Sequence, residues 1–336
     1  MDRLIRYFRS ILPRNLIFVD VGARGGIKTI PWLNILPLID VISFEPEPNE
    51  AARMLKAKRN NDQIFATALY RDAREVHLYV TRSPGSSSLY EPNYEFLESF
   101  PDKERFDIVA QERVKTDTLD HLYDQKLIKD ADFIKLDVQG AELDILKGGT
   151  RLSCENILGI ELEVEFQPLY KGQPLFSDVD PVIRDMGFDL QDIQVSYWKR
   201  NAGVGIGPVK GQAIFGDALY FRSPRGVMEM IAKRPREQGA EKILMACLFS
   251  VSYGYFDYSF DLLAQPECER YLEKEKIQSL RSELMVYSRS YSWNGKSAKF
   301  LSALGRFLYR AFEGDQKDWA RIGERFGNRK RFGMFG

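Results

Sequence analysis

Histidine is almost missing from this chain: His77 and His121 are the two in 336 residues. With so few, and with no H-E-x-x-H pair and no G-x-S-x-G turn, zinc hydrolases and serine esterases are disfavoured. Cysteine is scarce as well. Cys154, Cys247 and Cys268 are odd in number and form no C-x-x-C pair, so neither a disulfide framework nor a thiolate metal site is supported. A reducing cytoplasm is the expected location. Long apolar runs are also lacking. Ile243 to Phe249 is the longest strongly apolar stretch, far short of the roughly 20 residues that span a bilayer. The start, Met1 to Arg14, is broken by Arg3, Arg6, Arg9 and Arg14, so neither a signal peptide nor a transmembrane helix is expected. Nor is there a net charge, with 48 basic and 48 acidic residues, and nucleic acid is not an expected partner.

What is present is enough to fold. A content of 44% hydrophobic and 12% aromatic residues can bury a sizeable core. The overall neutrality hides a split: residues 1–224 hold 28 Lys+Arg against 34 Asp+Glu, and residues 225–336 hold 20 against 14. A main domain over 1–224 and an appendage over 225–336 are therefore expected.

Strands and helices alternate along the first part. Leu16 to Val21 is a continuous apolar run ending in Gly22-Ala-Arg-Gly25-Gly26, a buried strand entering a tight turn. Val41 to Phe44 is a second strand, and Pro48 to Arg59 a helix. Ile64 to Leu69 reads as a third strand, and Glu75 to Thr81 as a half-exposed one. Arg82 to Phe106 is loop-like, and Glu112 to Thr116 strand-like. Then come a strand at Ala131 to Val138, a helix at Ala141 to Lys147, a strand at Ile157 to Val164, a helix at Asp180 to Met186, and strands at Leu190 to Tyr197 and Ala213 to Phe221. The pattern predicts a doubly wound α/β sheet with a mixed edge. After Arg225 only helices are needed: Glu241 to Ser252, Glu267 to Tyr287 and Lys296 to Phe312.

The chemistry-bearing residues fall at strand ends. Asp20 stands where a dinucleotide fingerprint has its first glycine, and a carboxylate there suits a cationic ligand better than a pyrophosphate. Glu45 closes the second strand, placed to accept from both hydroxyls of a ribose. Asp137 closes the strand that begins at Ala131, and Glu142 opens the next helix, so two acids face one cleft.

These segments together resemble the FkbM family of S-adenosylmethionine-dependent methyltransferases. The resemblance is carried by the D-x-G-A turn at Asp20, the F-E-P strand end at Glu45 and the I-K-x-D-x-x-G-x-E run ending at Glu142. Thr118-Leu-Asp120, Pro168-Leu-Tyr170 and Gly216-Asp217-Ala-Leu-Tyr220 extend it, so that it covers about residues 15 to 224. It implies a class I methyltransferase (Rossmann-like) fold with a doubly wound, mixed seven-stranded sheet and a C-terminal helical appendage. It also implies transfer of methyl to a hydroxyl of a saccharide, glycan or related natural product, with S-adenosylhomocysteine as product. Carried over, Asp20, Gly22 and Gly25 hold the methionine part, Glu45 the ribose, Ala68 the adenine surroundings, and Asp137 borders the transferred methyl. Arg24 stands where the family often has asparagine.

An alcohol acceptor calls for a base, and Asp137, Glu142, Glu163, Glu165 and His121 are candidates, with Asp137 and Glu142 ranked first. Glu161, Glu163 and Glu165 share one side of their strand, which leaves a divalent cation open, although no metal site is expected. Gly203 to Pro208 reads as a hairpin connection. Lys299 to Arg310 is a basic amphipathic helix suited to packing on a neighbour or a second subunit, with membrane-surface contact as the alternative. Two other functions stay open: a nicotinamide-dependent oxidoreductase, and a non-catalytic nucleoside-fold module that organises glycan assembly.

Overall fold

The computed structural model of the protein describes residues 2–27, 29–128, 130–206, 211–292 and 319–322. The strands, in chain order, are β1 (Leu16–Val21), β2 (Ile39–Phe44), β3 (Gln63–Phe65), β4 (Ala68–Leu69), β5 (Glu75–Thr81), β6 (Ile108–Asp117), β7 (Phe133–Leu136), β8 (Gly159–Glu165), β9 (Phe188–Trp198), β10 (Gln212–Arg222) and β11 (Ala320–Ile322). The helices of the first part are α1 (Asp2–Ile11), α2 (Ile30–Asn34), α3 (Pro48–Ala57), α4 (Tyr94–Leu97), α5 (Leu119–Asp124), α6 (Glu142–Lys147), α7 (Thr150–Glu155) and α8 (Phe176–Asp185). Those of the second part are α9 (Pro224–Ile231), α10 (Arg236–Tyr253), α11 (Phe256–Leu262), α12 (Cys268–Tyr271) and α13 (Lys274–Ser292).

The main sheet has the order β11-β9-β10-β8-β7-β1-β2-β3. From β3 to β8 the strands are parallel, and β10 runs antiparallel to both β8 and β9. This is the class I methyltransferase order. Seven strands match the expectation, and the three-residue β11 adds an eighth at the edge, from a part of the chain that needed no strand. The chain order reverses between β1 and β7, and a doubly wound sheet binds its ligand outside the carboxyl ends of the strands at such a point.

Burial on both faces explains why β1, β2 and β7 are mostly apolar, with Asp20 and Lys135 falling toward their carboxyl ends. One face, with Leu16, Phe18, Phe133, Leu219 and Phe221, packs against Trp32 and α10. The other, with Val19, Ile42, Ile134, Leu162 and Ala218, packs against α5 to α8. Helix α10 is buried without a break from Lys242 to Tyr253, because it lies between the sheet and the helices that follow it. Its Lys242 is held by Asp130 and Asp132, at 2.8 and 2.7 Å, and Arg14 also pairs with both acids. The helices beyond residue 224 thus share one core with the sheet.

Local departures from the expected elements have long-range causes. The third strand, expected over Ile64 to Leu69, divides into β3 and β4. Phe65 still accepts from the Glu45 amide, whereas Ala68 and Leu69 pair with Thr116 and Asp117 of β6 in a separate three-stranded sheet, β4-β6-β5. The segment expected as a helix from Glu267 to Tyr287 is interrupted between α12 and α13, where Leu272 is extended and buried. The 82–106 segment carries α4 and two single 3-10 turns. The expected helix at 296–312, the basic stretch at 299–310 and most of the 203–208 turn's end, from residue 207, lie outside the described residues. No helix among the described residues is long and apolar enough to cross a membrane.

Candidate active site

At the carboxyl end of β1, Asp20 is buried and stands in register with Ser43 of β2 and Lys135 of β7. The turn after it is set by backbone. Gly22 has a φ of +76°, and a Cβ there would lie 1.9 Å from the Asp137 carbonyl oxygen, so only glycine lets the β1 and β7 ends approach. The amides of Gly22 and Ala23 both donate to the Phe44 carbonyl, at 3.1 and 3.2 Å. Gly25, also at positive φ, donates its amide to Glu50 Oε1 at 2.9 Å.

Glu45, at the end of β2, is buried, and burial raises its carboxyl above the ordinary range. One of its oxygens accepts from the Glu47 amide at 3.0 Å. The Arg24 guanidinium lies 4.0 Å from Glu45 and 3.8 Å from Glu47. Pro46, Ala66, Thr67 and Ala68 line one side of a cavity of about 320 Å³, and Lys115, Thr116 and Asp117 line the other. Asp20, Gly22, Glu45 and Ala68 therefore follow one another along the ends of β1, β2 and β4.

Across the switch point the arrangement is ionic. Lys135, Asp20 and Glu161 stand in register on adjacent strands. Burial alone would lower the Lys135 ammonium, but Asp137, Asp20 and Glu161 together hold it above its ordinary range. Asp137 is accessible from the crevice, with its side chain 39% exposed. One of its oxygens accepts from Lys135 Nζ at 3.1 Å and the other from Gln139 Nε2 at 3.2 Å. The same Gln139 amide donates to Glu163 at 2.6 Å, and Gln139 Oε1 accepts from the Tyr170 hydroxyl at 3.1 Å. Gln139 sits at a φ of +61°, a strained position for a residue with a side chain.

Glu142 is buried, and its two oxygens accept from the amides of Val138 at 2.7 Å and Gly140 at 2.9 Å. Burial, with the Asp137 charge added, pushes its carboxyl up to about 7 despite those amides. Glu161, Glu163 and Glu165 do face one side, as their alternation predicts, with Leu162 and Val164 in the opposite core. Burial raises Glu163, and the charges of Asp137, Glu165 and Asp217 raise it further. Asp217, opposite Glu163 on β10, is pushed up to about 7 by burial and by Glu161 and Asp137. Glu161 accepts from the Tyr253 hydroxyl, which in turn accepts from Trp32 Nε1 at 2.8 Å. Among the described residues, no group of three or more His, Cys, Asp or Glu is arranged to hold a metal ion.

His121 pairs at 2.7 Å with Asp117, which lines the cavity beside Ala68. The 82–106 segment is fastened over the Asp137 turn. Ser88 Oγ donates to the Gln139 carbonyl at 2.6 Å, the Tyr170 hydroxyl to the Ser86 carbonyl at 2.9 Å, and the Tyr90 hydroxyl to Asp144 at 2.5 Å. Sequence reasoning passed over Gln139, Lys135 and this fastening. The hint for Gln139 was its place between Asp137 and Gly140, in a turn too short to keep a side chain away from the acid.

A family model described as the methyltransferase FkbM domain matches residues 20–190. The chain belongs to the FkbM methyltransferase family. The 2-O-methyltransferase NoeI of Sinorhizobium fredii is 28% identical over 174 residues, which is 49% of this methyltransferase and 70% of that one. The methyltransferase sdnD of Sordaria araneosa is 26% identical over 202 residues, 53% of this chain and 76% of that one. Among solved structures, precorrin-6y C5,15-methyltransferase from Geobacter metallireducens is 12% identical, with a TM-score of 0.29, covering 65% of this chain and 87% of that one. The N-terminal domain of EvdMO1 with SAH bound is also 12% identical, with a TM-score of 0.29, covering 66% and 79%. Family membership makes the protein an S-adenosylmethionine-dependent methyltransferase, and its fold rests on the strand order given above.

Proposed function

We propose that this methyltransferase transfers a methyl group to a hydroxyl oxygen of a saccharide or related natural product, with Asp137 as general base. The observation that carries the reading is the position of Asp137. It is an accessible carboxylate at the switch point, with Asp20 and Glu45 on one side and a cluster of acids on the other. The 2-O-methyltransferase among the relatives supports oxygen as the acceptor atom.

The residues fit S-adenosylmethionine. Glu45 offers a desolvated acceptor at the ribose position, and Pro46 and Ala66 to Ala68 offer a cavity wall for a flat base. Asp20 brings a carboxylate to the end of β1, toward an amino group. When bound, the cofactor supplies a methyl carbon made electrophilic by a cationic sulfur. Asp137 would hold the acceptor hydroxyl and take its proton as that oxygen gains the methyl and the carbon–sulfur bond breaks, leaving S-adenosylhomocysteine. Lys135 and Gln139 fix the two Asp137 oxygens, and with them the line of approach. Glu142 is a positioning residue, since it staples the 138–140 turn through two amides.

The test is transfer of labelled methyl from S-adenosylmethionine to a panel of neutral and acidic saccharides. Product on oxygen with the native protein, and its loss in Asp137→Asn with retained S-adenosylhomocysteine binding, is the expected result. Labelled product on nitrogen or carbon, or undiminished turnover by Asp137→Asn, would overturn the reading.

A further inference from the structure

Among the described residues, several buried or half-buried cations are fully partnered. Arg14 pairs with Asp130, Asp132 and Glu241, Lys242 with Asp130 and Asp132, and Lys135 with Asp137. Arg222 donates to the carbonyls of Ile157, Met186 and Ser153. Arg105 differs. Its guanidinium carbon lies 4.5 Å from the Trp198 ring centre, 4.7 Å from Phe106 and 5.7 Å from Trp319. Its Nε is buried with no hydrogen-bond partner, and among the described residues no carboxylate forms an ion pair with it. Burial lowers its pKa, with Asp102, Tyr170 and Glu163 acting on it only through their charges. Arg105 is half-buried, and the buried Nε of a guanidinium left to aromatic faces is costly unless an anion completes the group.

Its place connects it to the acceptor side. Phe106, the next residue, packs edge-on to Tyr170 with ring centres 5.9 Å apart, and the Tyr170 hydroxyl bonds Gln139, which holds Asp137 and Glu163. Arg200 stands by the same aromatic group, 5.3 Å from the Phe100 ring centre, and its side chain bonds the neutral Gln212. Arg105 is thus linked to the Asp137 turn through Phe106, Tyr170 and Gln139, and Arg200 stands beside the same aromatic group.

We propose that Arg105 is an anion subsite that receives a carboxylate or phosphate carried by the saccharide acceptor. This rests on the reading of the acceptor given above. The planar fork of a guanidinium matches either group by two parallel hydrogen bonds, and the aromatic box holds the fork in place before the ligand arrives. The subsite selects acidic saccharides over neutral ones and pins the acceptor at a second point away from Asp137.

Trp198 and Trp319 rest on the guanidinium, so their emission reports on it. Calorimetry with S-adenosylhomocysteine comes first, because failure to bind it defeats the methyltransfer reading by itself, independently of Arg105. The saturated protein is then titrated with sodium D-glucuronate, D-glucose 6-phosphate and methyl D-glucoside while tryptophan emission is followed. A saturable change with either acidic sugar, and none with the glucoside, is expected, and which acid responds tells carboxylate from phosphate. In Arg105→Gln the response should weaken by about tenfold, the loss of one charge-assisted pair, with S-adenosylhomocysteine binding unchanged. Should that variant fail to fold, Arg105→Lys keeps the charge without the fork, and an affinity below the native protein's is expected. Equal binding of the glucoside, no saturable change with either acid, or an unaltered anion response in the variant would overturn the proposal.

Discussion

On the β1–β2 side of the crevice the residues proposed to meet the cofactor come from one stretch of chain, Asp20 to Ala68, and much of the shape is backbone: Gly22 and Gly25 at positive φ and the two amides that donate to Phe44. On the β7–β8 side, Arg105, Gln139, Glu163, Tyr170 and Asp217 converge from separate elements, and the shape is made by side chains. On the reading proposed above, the difference separates two tasks. A shared cofactor can be met by a short recurring motif, whereas an acceptor peculiar to one enzyme is met by residues that only the tertiary fold gathers.

The largest break should come from Asp137→Ala. Turnover is expected to fall by about 100-fold or more, the usual contribution of a positioned base, while S-adenosylhomocysteine binds within a few-fold of the native protein by calorimetry. A scaffold without catalysis would show no such split. Gly22→Ala strikes the other side through the backbone. With a Cβ placed 1.9 Å from the Asp137 carbonyl at a φ of +76°, the variant should lose about 3 kcal/mol of stability, read by urea unfolding. It should also weaken the cofactor analogue, which a purely acceptor-side lesion would not.

That contrast also marks what was legible in the sequence. The turn at Gly22, the acid at Glu45 and the acid at Asp137 could be placed because each follows a short apolar strand whose end is easily read. The alternation of Glu161, Glu163 and Glu165 was equally plain, since a strand's two faces follow its period of two. Gln139 and Arg105 were not legible, because their roles depend on Tyr170, Glu163 and Trp198, far away in sequence. The division of the third strand was hidden for the same reason: Ala68 pairs with Thr116. The sequence suggested an appendage over 225–336, but its packing was hidden: α10 gives Tyr253 to Glu161 and its apolar residues to the sheet's own core.

A third change is sensitive to pH. Burial and like charges carry Asp217 from 3.8 to about 7 on folding, so between those values the folded state holds more protons than the unfolded one. Stability due to this group therefore falls as pH rises through that window. Asp217→Asn should be more stable than the native protein at pH 8, by about 4 kcal/mol at most, with the advantage gone near pH 4. Equal melting of the two proteins at both pH values would show that the acids do not repel one another as described. The smallest effect is expected from Tyr253→Phe, which removes the hydroxyl between Glu161 and Trp32. A loss of about 1 to 2 kcal/mol in stability, with turnover changed less than Asp137→Ala changes it, would place that hydroxyl in support of the row and outside the chemistry.

The most direct measurement is isothermal titration of the full chain with S-adenosylhomocysteine and with NAD, using the native protein and Glu45→Ala. The account predicts that S-adenosylhomocysteine binds, that NAD does not, and that Glu45→Ala weakens the first by about tenfold or more through two lost charge-assisted hydrogen bonds. Binding of NAD alone, or S-adenosylhomocysteine affinity indifferent to Glu45, would contradict it.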